Sequence, residues 1–138
     1  MIQEDKELLL RDLCARLPYG VKVESEFINP DTKEHKSCGI EVFNATSLLM
    51  IRDGLGEFKP YLFPLSRLNN LTEEQRKTLK VMCDWNDEEV DAQSILDLYQ
   101  KHFVMKTDVI DWLHKNHFDY RGLIPKGLAI DATGLNIY

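Results

Sequence analysis

Over the first seventeen residues the hydrophobic positions recur with helical spacing. Leu9, Leu10, Leu13, Cys14 and Leu17 fall on one side, and Lys6, Arg11, Asp12 and Arg16 on the other. Glu4, Asp5 and Glu7 lie in the first turn, where acids complement the helix dipole, and Pro18 and Gly20 follow the last. The pattern predicts a helix over residues 3–17 with Asp12 and Arg16 on its wet side. The period then switches to two. Val21, Val23 and Phe27 alternate with Lys22, Glu24 and Glu26, which predicts a strand over 20–27 with one solvated face. After the turn residues Asn29, Pro30 and Asp31, Cys38, Ile40 and Val42 alternate with Gly39 and Glu41 and predict an antiparallel return. The apolar segment 48–52 reads as a third strand closed by the hairpin dipeptide Asp53-Gly54, and 57–62 as a fourth. Pro60 assigns the fourth to a sheet edge, and Pro64 ends it.

From Leu71 onward the pattern is helical. Thr72-Glu73-Glu74-Gln75 fits a capping box that starts a helix running to about Cys83, with Leu79, Met82 and Cys83 inward. A second helix is expected over 87–102, on the stripe Ala92, Ile95, Leu96, Tyr99 and Phe103. A third is expected over 107–116, with Val109, Ile110 and Leu113 facing in and Asn116 as its cap. The remainder, with Gly122, Pro125, Gly127 and Gly134, reads as loop with one short strand at 128–130. The connector 65–71 has ordinary loop length, so the expectation is a single α+β domain over 1–138. It comprises an N-terminal helix, a small curled antiparallel sheet of about four strands within a sheet lobe at 20–64, and a three-helix C-terminal part within a helical lobe at 72–117.

Charge and composition narrow the function more than the fold. Among 138 residues, 17 Lys and Arg stand against 23 Asp and Glu, a net charge of −6, so sequence-independent nucleic-acid binding is disfavoured. The longest apolar run, Leu48-Leu49-Met50-Ile51, is far too short to cross a bilayer, and the first residues are acidic where a signal peptide is basic. Cys14, Cys38 and Cys83 are odd in number, widely spaced and placed on apolar faces, as reduced core thiols are. These features predict a cytoplasmic protein with no membrane partner.

Three stretches carry a resemblance: residues 7–21 (ELLLRDLCARLPYGV), 59–66 (KPYLFPLS) and 111–124 (DWLHKNHFDYRGLI), the last followed by Lys126-Gly127-Leu128-Ala129. Their order and wording resemble a group of small uncharacterised proteins common in gut anaerobes, often in prophage or other mobile-element neighbourhoods. Phe63 stands where that group often has Arg, and Pro125 where it often has Glu. The resemblance implies a compact, independently folding unit; it supplies no catalytic residue and no cofactor.

Among chemistry-bearing residues, Asp111, His114 and His117 stand three apart and could chelate a divalent metal, with Asp119 close by. The blander reading places Asp111, Asp119 and His114 on a solvated face and His117 at a helix C-terminus, where its charge suits the dipole. The acidic run 84–91, which contains Trp85, lacks the Gly and Glu of a calcium loop and reads as a helix start or as a patch for a basic partner. Gly54-Leu55-Gly56 is too short for a phosphate loop. Tyr61, Phe63, Arg67, Tyr120 and Arg121 interleave aromatic and basic groups, as a protein contact or a base-stacking surface does. With Trp85 they are the candidate partner contacts. The expected function is a non-enzymatic accessory or protein-interaction module of phage or mobile-element type, with no cofactor and an unidentified protein partner. The alternatives are a metal-binding or metal-dependent hydrolytic protein, and a weak single-stranded nucleic-acid binder.

Overall fold

The structure, a computed structural model, describes residues 2–83 and 107–138. Helix α1 (Gln3–Arg16) forms as its periodicity predicts, and a 3-10 turn over Leu17–Tyr19 carries the chain into Gly20, whose φ of +67° allows the reversal. The buried face differs from the expected one. Leu9 and Leu13 are buried, but so are Asp12 and Arg16, while Leu10 and Cys14 are exposed. Both stripes satisfy helical spacing; an ion pair sunk among apolar side chains turns the helix by part of a turn.

Strands β1 (Lys22–Ile28) and β2 (His35–Val42) pair antiparallel, and β1 pairs antiparallel with β3 (Gly56–Pro64). Two short strands from the C-terminal region, β4 (Phe118–Asp119) and β5 (Ile130–Asp131), pair parallel with β3. The result is a five-stranded mixed sheet of order β2-β1-β3-β4, with β5 also on β3, rather than an antiparallel meander. β4 comes from residues read as loop, whereas β5 overlaps the short strand expected at 128–130 in Ile130 alone; two-residue strands carry no periodicity to detect.

The segment expected as a third strand is instead helix α2 (Ala45–Arg52). A run of four apolar residues is compatible with either state; the cap is not. Asn44 accepts from the Ser47 backbone N–H and Ser47 accepts from the Asn44 backbone N–H, both at 3.2 Å, so the helix start is satisfied reciprocally. Asp53-Gly54 then closes this helix instead of a hairpin, with Gly54 at φ +71°. Replacing Asn44 by alanine should lower the stability of the fold by about 1 kcal/mol, read as a shift in urea midpoint at unchanged slope.

Pro60 lies where β3 is locally an edge, as expected: β1 flanks it on one side, and β5 and β4 join β3 only from Tyr61 onward. The Ile28 N–H donates to the Leu55 carbonyl at 2.8 Å, which makes that pair hydrogen-bonded. Counting by twos, Glu26–Glu57 and Glu24–Lys59 are the next such pairs, and Gly56, Phe58 and Pro60 turn their main-chain groups to the opposite edge. The missing proline N–H therefore leaves no gap in the ladder with β1. At the following pair, the Tyr138 hydroxyl replaces the ladder bond itself, accepting from the Lys22 N–H at 2.9 Å and donating to the Tyr61 carbonyl at 2.7 Å.

Helix α3 (Glu73–Cys83) starts on the expected capping box, with Thr72 and Gln75 exchanging hydrogen bonds at 3.2 Å. Helix α4 (Thr107–Lys115) ends at His117, which takes the left-handed conformation (φ +63°) in place of Asn116. The helix expected over 87–102 lies outside the described residues. One apolar cluster joins Leu9 and Leu13 to Val21, Val23, Phe43, Phe58, Leu62 and Leu123. A second joins Leu65, Leu68, Val109, Leu113 and Phe118 to Trp112, whose indole stacks on the Phe118 ring at 5.6 Å. Among the described residues no helix is long and apolar enough to cross a membrane.

Candidate functional site

Residues 7–21 and 111–124 meet in a polar network, and residues 59–66 join the latter stretch through the β3–β4 pairing. Asp12 and Arg16, one turn apart on α1, form an ion pair at 2.8 Å with both side chains fully buried. The Arg16 guanidinium also donates to the Phe118 carbonyl, and Arg121 approaches the other Asp12 oxygen at 3.3 Å. Both guanidinium groups lie near the Tyr120 ring, at 5.7 and 5.1 Å from its centre. The Tyr120 hydroxyl is 2.7 Å from His114 Nε2, and the Tyr19 hydroxyl donates to Asp111 at 3.0 Å. Asp119 is buried and accepts from the backbone N–H groups of Leu123 and Ile124, both at 2.9 Å, which fixes the turn that follows.

Asp111, His114 and His117 do not converge on one point. His114 is buried against Tyr120, whereas the ring of His117 stacks on Tyr138 with centres 3.6 Å apart. Two features of the blander reading also change: His114 and Asp119 are buried, not solvated. Burial, reinforced by the nearby Arg16 charge, pushes both imidazoles down to about 4, so His117 carries no charge for a helix dipole at neutral pH. A neutral imidazole beside an arginine is a structural solution: it fills the space without adding a second buried cation.

The partner-contact candidates scatter. Tyr61 is buried with its hydroxyl donating to Glu24 at 2.7 Å, and burial pushes it up to about 12. Phe63 is half-buried beneath the exposed Arg67, whose guanidinium lies 3.9 Å from the ring centre. Tyr120 is buried and Arg121 mostly so, both within the network already described. Trp85 lies outside the described residues, as does the rest of the acidic run. Cys14 and Cys38 are exposed, contrary to the expected core placement, and Gly54-Leu55-Gly56 joins α2 to β3.

An open groove of about 350 Å³ lies where α1 meets the start of β3. Leu9, Leu10 and Leu13 form its helical wall, Ile28 and Ile51 close one end, and Gly56–Lys59 form the strand wall. Lys6, Glu7, Glu57 and Lys59 supply charges of both signs, and no histidine, cysteine or hydroxyl side chain lines it. Gly56 is required there, because a Cβ at this position would sit 2.9 Å from the Phe58 ring. Among the described residues, no strand pairs with the edge of β3 facing away from β1 over Gly56–Lys59. Sequence patterning missed this groove because it misassigned α2 as a strand, and the helix is what frees that edge.

Comparison with family models, with curated proteins and with solved structures finds no match to this chain.

Proposed function

We propose that the protein is a non-enzymatic interaction module that takes an extended segment of a partner protein into the groove between α1 and β3. The observation that carries this reading is the open strand edge lining an apolar groove. Gly56 and Phe58 direct their N–H and C=O groups away from β1, and an incoming strand satisfies such groups by adding to the sheet. The exposed Leu10 opposite, backed by the buried Leu9 and Leu13, offers an apolar contact for side chains of that strand, while Lys6 and Lys59 suit acidic positions at its flanks. The use of Asp12, Arg16, His114 and Asp119 in internal hydrogen bonds supports a scaffold that presents this groove rather than a reactive centre.

Selection from a random peptide display library tests the proposal. Enriched peptides should alternate apolar and polar residues, and their binding should fall at least about tenfold in Leu10→Asp, an exposed groove position whose change spares the core. The bound peptide should also slow hydrogen exchange at the Gly56 and Phe58 amides. A library that yields no enrichment, or peptides indifferent to Leu10→Asp, contradicts it.

A further inference from the structure

The outer face of the sheet carries an arrangement that packing does not explain. Glu26 of β1 and Glu57 of β3 stand directly opposite one another in the ladder, a like-charge pairing that destabilises a sheet unless something cationic lies between them. His35, the first residue of β2, lies between them. Its Nδ1 is 2.9 Å from a Glu26 carboxylate oxygen and 3.8 Å from a Glu57 oxygen. One ligand-type atom from each of the three residues lies within 4.8 Å of the other two, the one such trio among the described residues.

A bulge creates this trio. The β1–β2 register runs Ser25↔Gly39 and then Glu26↔Ser37, so Cys38 has no cross-strand partner and residues 35–37 of β2 change face relative to β1. With unbroken register, His35 would point to the opposite side of the sheet from Glu26. With the bulge, His35 pairs with Ile28 and shares the face of Glu26 and Glu57. Bulges of this kind re-aim side chains beside functional sites.

We infer that Glu26, His35 and Glu57 form a binding site for a zinc-like divalent cation, with its remaining position open to water. Ligand atoms around tetrahedral zinc, at bond lengths of about 2.0–2.1 Å, stand about 3.3 Å apart. The observed 2.9 and 3.8 Å bracket that separation, so small side-chain rotations complete the trio. One imidazole nitrogen with two carboxylates favours zinc, cobalt or nickel over calcium and magnesium, which prefer all-oxygen shells. Each ligand comes from a different paired strand, so the backbone holds the three in place. All three side chains are between 43 and 58% exposed, which leaves a coordination position facing solvent. The metal displaces the proton on His35 Nδ1, so binding strengthens as pH rises through the titration of that imidazole, which the neighbouring carboxylates hold above its ordinary value. Glu26 and Glu57 face the imidazole from β1 and β3, and these are the charges that compete for it.

The test is titration of the metal-free full-length chain with Co²⁺ followed by visible absorption, and with Zn²⁺ followed by calorimetry. One equivalent should bind, with His35→Ala and Glu26→Gln each weakening it at least about tenfold and Leu10→Asp leaving it unchanged. Unchanged urea midpoints in the variants establish that folding is not at issue. Absence of saturable binding, binding that survives His35→Ala, or an intense thiolate-to-cobalt band placing the ion on Cys14 or Cys38 would overturn the inference. Failure of the peptide selection leaves it standing, since Leu10 belongs to the groove alone.

Discussion

Acidification from pH 6.5 to pH 4 is expected to remove several kcal/mol of stability through two histidines. His114 and His117 are buried as neutral rings with midpoints near 4, against about 6.5 in an unfolded chain. Between those values the unfolded chain binds more protons, so folding weakens steadily as pH falls and the loss levels off below about 4. Each full pKa unit corresponds to about 1.4 kcal/mol, so the two rings together make this a large effect for a domain of this size. His35 works in the opposite sense. Its raised midpoint gives a contribution present below pH 6.5 and lost as pH rises, but it is exposed and solvent screens it. Urea unfolding at pH 7.0 and 4.5 measures the difference. His117→Phe should shrink it, because Phe keeps the stack on Tyr138, sacrifices no hydrogen bond at Nδ1, which has no partner among the described residues, and cannot titrate. An acid loss of the same size in His117→Phe would assign the effect to carboxylates instead.

Replacing Asp12 by alanine is expected to cost about 3–5 kcal/mol, the range for stripping one partner from a buried ion pair. Asp12 is the anion shared by Arg16 and Arg121, and without it the fully buried Arg16 guanidinium retains the Phe118 carbonyl and no opposing charge. The pair need not be strongly stabilising for its disruption to be severe, because the penalty is the desolvation of the cation left behind. The double replacement Asp12→Leu with Arg16→Met should therefore be much milder than Asp12→Ala alone. Denaturant midpoints for the unaltered chain, Asp12→Leu, Arg16→Met and the double variant form a closed cycle. A loss below about 1 kcal/mol in Asp12→Ala would show that water reaches Arg16 and that the network is not sealed.

The legibility of this chain follows the length over which each signal acts. Helix α1, the β1–β2 pair, the Thr72–Gln75 capping box and the start of α4 were readable because propensity, cap chemistry and periodicity agree within one segment. Segment 48–52 misled because four adjacent apolar residues carry no period; Asn44 and Ser47 just upstream held the answer in a cap outside the usual Ser-x-x-Glu form. Asp12 and Arg16 were placed in water because charged residues on a helix are usually solvated, and the compensating partners lie over a hundred residues away, at Phe118 and Arg121. The same holds for Asp119, His114 and Tyr120: spacing put them together on the chain but could not reveal which were sealed inside. The Glu26, His35 and Glu57 trio was invisible for a further reason. His35 reaches that face through a bulge, and alternation gives no warning of a register change.

The proposed roles divide the ionisable groups of this protein into buried ones that hold the scaffold and exposed ones that meet ligands. Side-chain NMR of the histidines across pH 3–9, with and without Zn²⁺, addresses that division directly. His114 and His117 should remain neutral until about pH 4 and keep their shifts when Zn²⁺ is added, while His35 titrates above 6.5 and responds to the ion. Midpoints near 6.5 for His114 and His117, or Zn²⁺-induced shifts at those two rings, would contradict it.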